Sequence, residues 1–203
     1  MERGRPTLIR VCIWDPAGLV TALESHVPLE FGHAAMEVIS DEDKSTYISY
    51  WPELETPVGH VMRLVKSRTK RHPETLAEEI DPHGGFMERK PNFIGEVEGT
   101  NEDKVRILWE AIKVSEYDFF KWNCSNVCKF LLLSAMDKRY HQQMLSAAVC
   151  TPQDLLAVES ADDLVVRLRI LATSPFIDCR PDDLHRIVAA YRQAFASSPN
   201  QST

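Results

Sequence analysis

Two residues of this chain can together carry nucleophilic chemistry: Cys124, in "KWNCSNVCKFLLL" (121–133), and His33, in "EFGHAAMEV". Asn123 is a favoured N-cap type, so it puts the Cys124 thiol in the first turn of a helix. Unpaired N–H groups and the helix dipole favour an anion there. A thiolate at such a position has a lowered pKa, and the same N–H groups can hold an oxyanion during acyl transfer. A nucleophilic cysteine also needs a base. His33 reads as a strand residue, sharing one face with Ala35 and Glu37, with Ala34, Met36 and Val38 on the other. Its small neighbours Gly32, Ala34 and Ala35 let another element approach closely. A polar histidine among small residues, facing a helix start, is the arrangement a Cys–His pair requires. The plainer readings are a small buried thiol and a hydrogen-bonded structural histidine.

The elements that must position the pair follow from patterning. "TLIRVCIWDP" (7–16) reads as a strand ending at a Pro turn. "LEFGHAAMEVIS" (29–40) and "STYISYWPE" (45–53) read as a hairpin, "VGHVMRLV" (58–65) as a possible strand and "FIGEVEG" (93–99) as a further one. "AGLVTALESH" is a short helix or a loop. The polar stretch 66–92 crosses the surface and holds one short helix candidate with Pro73 in its first turn. From residue 100 the chain reads as helical. Thr100 with Asp103 resembles a capping box, followed by an apolar face of Val105, Leu108, Ile112 and Val114. The helix capped by Asn123 runs through Val127, Phe130, Leu131 and Ser134. Thr151-Pro152 and Arg180-Pro181 mark two later helix starts, the second followed by Leu184, Ile187, Val188, Tyr191 and Phe195 at helical spacing. Strands first and helices last predict an α+β domain, an antiparallel sheet packed against helices. The expected division is a catalytic domain over 1–150 and a helical C-terminal extension over 151–203 with a frayed tail.

Composition bounds the function. The 203 residues are 44% hydrophobic and 26% charged, which suits one globular domain with a sizeable core. A net charge of −7 argues against nucleic-acid binding. No run approaches the roughly 18 apolar residues of a membrane span. The N-terminus has neither a secretory h-region nor a myristoylation motif. Five cysteines without a CxxC pair point to reduced thiols and a cytosolic location, in the cell of origin or in a host. His26, His60, His72, His83, His141 and His185 lack metal-ligand spacing, and zinc binding through Cys150 or Cys179 is disfavoured on the same ground. No cofactor or metal is therefore expected. The basic stretch "KSRTKRH" (66–72) is a solvated loop or a peripheral contact with an anionic membrane. Trp51 packs in the core or beneath His33, and Cys128 is core packing. The C-terminal helices cover an open face of the core or bind a partner.

"GHAAMEV", then "YISYWPE", then "YDFFKWNCSNVCKFLL" together resemble the circularly permuted branch of the papain-like (NlpC-type) cysteine superfamily, over roughly residues 7–136. In the ordinary order the cysteine helix precedes the histidine strand; here His33 comes first and Cys124 follows 91 residues later. The permuted order is shared with lecithin–retinol acyltransferase-like proteins and with bacterial toxin and effector domains of the Rho-inactivation type. The resemblance implies a permuted papain-like fold, Cys124 as nucleophile, His33 as base and the Cys124 N–H in the oxyanion hole. For the group that orients His33 it points to Asp81, in "EEIDPHGG", with Glu37 and Ser49 as alternatives. No histidine lies within 45–53, which departs from the lecithin–retinol type. The expected function is thiol-dependent acyl transfer on a protein substrate, as a cysteine protease or amidase-type hydrolase. The alternatives are an N-fatty-acyltransferase taking acyl-CoA as co-substrate, and a non-catalytic binding module on the same fold.

Overall fold

A computed structural model describes residues 8–14, 32–40, 45–52, 66–68, 72–82, 87, 89–118, 122–147 and 181–197. Its centre is a four-stranded sheet of β1 (Leu8–Trp14), β2 (His33–Ile39), β3 (Ser45–Ser49) and β5 (Phe93–Glu98), in the order β3-β2-β1-β5. Every neighbouring pair is antiparallel. A separate two-stranded pair joins β4 (Lys66–Arg68) to β6 (Glu116–Asp118). The helices are α1 (Leu76–Glu79), α2 (Glu102–Ile112), α3 (Cys124–Ala135), α4 (Lys138–Ala147) and α5 (Pro181–Ala196). The molecule is α+β, as the strand-then-helix order of the sequence predicts.

Alternation along the strands gives the sheet two unlike faces. Ile9, Val11, Ile13, Ala34, Met36, Val38, Ile48 and Val97 point to one face and are buried under α2, α3 and α5. The other face changes character along its length. At one end it carries Cys12, Trp14, Ala35 and Tyr47, buried with Trp51 and Met87 and flanked by Leu76 and Ile80. Further along it is charged: Arg10 donates to Glu37 at 2.7 Å and to Glu96 at 3.2 Å across three strands. These half-exposed ion pairs contribute little, on the order of 0–1 kcal/mol each. They mark where the apolar cover ends.

α3 is buried along its whole length, which explains its run of Val127, Cys128, Phe130, Leu131, Leu132 and Leu133. α5 joins the same core through Leu184, Ile187, Val188 and Tyr191, and packs on β1, β5, α3 and α4. Tyr191 also donates to the Glu98 carbonyl at 3.0 Å. Gly99, at φ +70°, sits so close to the Phe195 ring that a Cβ there would lie 2.6 Å from it, so this turn requires glycine on two counts.

Several expectations shift locally. α2 is capped by Asn101, whose side chain accepts from the Lys104 N–H, and not by Thr100. Val114 lies beyond the helix and is 78% exposed; Trp109 takes its place on the buried face. The short helix in 66–92 begins after Thr75, which caps it, so Pro73 precedes it instead of standing in its first turn. Within the basic stretch, Lys66–Arg68 forms β4, and residues 69–71 lie outside the described residues. The segments 17–26 and 58–65, the helix start at Thr151, the 150/151 boundary, and His26, His60, His83, Cys150 and Cys179 also lie outside them. Among the described residues no helix is long and apolar enough to cross a membrane.

Candidate active site

Cys124 and His33 reach the same place from opposite faces of the sheet. His33 is the first residue of β2, with its side chain on the face shared by Ala35, Ser49 and Tyr47. Cys124 is the first residue of α3, which packs on the other face. The two meet at the end of β2, where the Cys124 thiol is within hydrogen-bonding reach of the imidazole and of the Ala34 N–H. The Asn123 side chain accepts from the Asn126 N–H at 3.0 Å, which fixes the helix start and with it the sulfur. Both residues are buried, Cys124 at 6% exposure and His33 at 2%.

The other imidazole nitrogen faces a carboxylate that the sequence reading passed over. His33 Nε2 lies 2.9 Å from Glu79 Oε1 and 3.1 Å from Ser49 Oγ, which leaves Nδ1 for the thiol. Glu79 closes α1 and has no exposed surface. Its Oε1 also accepts from Ser49 Oγ at 2.6 Å and from Trp51 Nε1 at 2.8 Å, and its Oε2 accepts from the Tyr47 hydroxyl. Trp51 stacks on the imidazole with ring centroids 4.3 Å apart, and Trp14 flanks it at 5.3 Å.

These placements put a carboxylate other than the expected one beside His33. Asp81 is exposed, two residues beyond Glu79, and the carboxylate at His33 is that of Glu79. Glu37 does share the His33 face, but it lies four residues along the strand and pairs with Arg10. Ser49 does touch the imidazole, alongside Glu79 and not in its place. Trp51 is both buried and stacked on His33. Cys128 is fully buried in the core. A signal for Glu79 was present: Leu76, Glu79 and Ile80 stand at i, i+3 and i+4, so the glutamate shares the inward face of the short helix.

The segment carrying Glu79 is itself pinned. His72 sets Nδ1 2.8 Å from the Ser49 carbonyl and Nε2 3.0 Å from the Lys113 carbonyl. Past α1, the Met87 N–H donates to the Glu79 carbonyl at 2.7 Å.

Electrostatics separates Cys124 from Cys12. Burial opposes the charged form of Cys124, but the His33 charge and hydrogen bonds from His33, Ala34 and Ser125 outweigh it and lower its pKa. Burial likewise opposes charging of His33, yet Cys124 and Glu79 hold the imidazole well above the usual histidine range. Glu79 stays below the usual carboxylate value: burial works against it, and His33, Ser49 and Tyr47 prevail. The arrangement favours thiolate, imidazolium and carboxylate in a row. At Cys12 burial, helped by Glu79 and Glu37, prevails over the nearby Arg10 charge and pushes the thiol up to about 12.

Tyr117, on β6, is a further site residue that the sequence reading missed. Its phenol oxygen faces the Cys124 N–H, and burial, then the Cys124 charge, keeps it protonated far above its ordinary range. Its ring stacks on Tyr50 at 5.4 Å, and the Tyr50 hydroxyl donates to the Ser115 carbonyl at 3.1 Å. Among the described residues no group of three His, Cys, Asp or Glu is arranged to hold a metal ion. Comparison with family models, with curated proteins and with solved structures finds no match to this chain.

Proposed function

We propose that this chain is a cysteine hydrolase of the amidase or peptidase type, on a permuted papain-like fold, with Cys124 as nucleophile, His33 as acid and base, and Glu79 as the group that orients His33. One observation carries the reading: a buried imidazole lies between a cysteine thiol at a helix start and a fully buried carboxylate. A core histidine needs no such partners. Burying three ionisable groups together costs several kcal/mol unless they neutralise one another, and an unused site gains nothing from them.

The thiolate attacks the carbonyl carbon of an amide and forms a C–S bond. The resulting oxyanion is stabilised by the Cys124 N–H at the helix start, with the Tyr117 hydroxyl beside it as a second candidate donor. The imidazolium passes its proton to the leaving nitrogen, the C–N bond breaks, and a thioester remains on Cys124. Cys124 then carries no charge, so His33 loses the largest influence that kept it protonated. The neutral imidazole takes a proton from water, the water oxygen adds to the thioester, and the C–S bond breaks to release the acid and restore the thiolate. Glu79 holds the ring in register throughout.

The test is turnover of a panel of peptide and amide substrates, with intact-mass detection of an adduct on Cys124. Hydrolysis that falls to background in Cys124→Ala supports the proposal. Transfer of an acyl chain from acyl-CoA through Cys124 to an amine, without amide hydrolysis, makes the protein an acyltransferase. Neither reaction and no adduct leaves a binding module.

A further inference from the structure

Glu79 is a buried charge, and its two oxygens are served unequally. Oε1 accepts from His33, Ser49 and Trp51. Among the described residues Tyr47 alone donates to Oε2. A carboxylate without exposed surface stays ionised only if its oxygens are hydrogen-bonded. It also rotates about its terminal bond unless both ends are held. We propose that Tyr47 is a positioning residue for the Cys124–His33 pair: by holding Oε2 of Glu79 it fixes Oε1 against the imidazole and keeps the buried carboxylate charged. This rests on the reading of Cys124 as a nucleophile.

The placement of Tyr47 supports a polar role. It lies on β3 between Ser45 and Ser49 on the sheet face that carries His33, and it is 5% exposed. Its hydroxyl ends on Glu79 and not in water, while its ring packs with Cys12, Ala35 and Trp51. The titratable groups around Glu79 are His33 from β2, Tyr47 from β3 and Cys12 from β1. Around Tyr47 they are Glu79, Cys12 and Cys128. Cys12 is neutral at physiological pH, so Glu79 is the charge that the hydroxyl answers. Without that hydroxyl a proton can bind Oε2. The imidazolium then loses its counter-charge, and the thiolate loses the imidazolium.

The experiment titrates the Cys124 thiolate by its ultraviolet absorbance, as the difference between each protein and its Cys124→Ser counterpart. In Tyr47→Phe the thiolate midpoint rises by about one pH unit, a tenfold loss of thiolate below the midpoint. Trp51→Phe, which removes one of three donors to Oε1 and keeps a stacking ring, moves it less. In a Glu79→Gln background Tyr47→Phe has no further effect. A packing role alone lowers the melting temperature of Tyr47→Phe and leaves its midpoint in place. An unchanged midpoint in folded Tyr47→Phe, or an undiminished shift in the Glu79→Gln background, overturns the proposal. Should Tyr47→Phe not fold, 3-fluorotyrosine at position 47 replaces it: the stronger donor lowers the midpoint, and no change overturns the proposal. A wild-type midpoint at the ordinary thiol value of 9.0 removes the nucleophile reading itself. A lowered wild-type midpoint that Tyr47→Phe does not move removes only the role of Tyr47.

Discussion

At the residue scale, three coupled protonation states define the site. His33 is raised, so its contribution to stability is complete below its ordinary value of 6.5 and is lost as pH rises through the raised value. Cys124 and Glu79 are lowered, so theirs are complete above 9.0 and 4.5 and are lost as pH falls through the lowered values. Between the lowered Cys124 value and the raised His33 value, the thiolate–imidazolium pair is the resting form. Glu79 and Asp81 lie two residues apart and make opposite predictions. Glu79→Gln keeps the shape and removes the charge, so turnover falls by about 10²–10⁴-fold. Asp81→Asn changes an exposed side chain and leaves turnover within about twofold. Side-by-side kinetics of the two folded variants decide the assignment, and the reverse pattern would return the role to Asp81.

At the scale of elements, the site depends on where one helix begins and where one short helix is pinned. Asn123 satisfies an N–H in the first turn of α3, and the buried run after Val127 prevents that turn from sliding. Asn123→Ala lowers stability by about 0.5–2 kcal/mol and also loosens the Cys124 sulfur. The expected outcome is therefore a lower melting temperature together with slower Cys124 alkylation at neutral pH; a melting loss with unchanged alkylation would show that the cap holds the helix and not the thiol. α1 has only four residues and too few internal hydrogen bonds to stand alone. Its position comes from the His72 bonds to two carbonyls and from Leu76 and Ile80 against the sheet. This explains why the positions of Cys124 and His33 were plain in the sequence and that of Glu79 was only weakly signalled, by its spacing from Leu76 and Ile80. An N-cap and a period-two strand are local patterns. Among Glu74, Glu78, Glu79 and Asp81, only tertiary contact selects the one that is buried.

At the scale of the molecule, the sheet works as a partition with a usable end. The helices bury one face and deliver the thiol; the pinned α1 segment covers the end of the other and delivers the carboxylate, and His33 stands where both can be reached. The hairpin and the α+β class followed from alternation, turn residues and the strands-then-helices order; the sheet order β3-β2-β1-β5 is added by the structure. The part played by α5 did not: Leu184, Ile187 and Val188 look alike in sequence whether a helix is appended to a core or completes it, and here they complete it. Tyr117 escaped notice for a related reason, because β6 has three residues and pairs with a strand about 50 residues upstream. The account as a whole requires that one thiol of five behaves unlike the rest. Peptide-resolved alkylation by iodoacetamide across pH, on wild type and His33→Ala, compares all five in one sample. The account predicts that Cys124 reacts below about pH 7, ahead of the other thiols and while Cys12 stays inert, and that His33→Ala abolishes this lead. Equal rates for all five near the ordinary thiol range, or a Cys124 lead that survives His33→Ala, would contradict it.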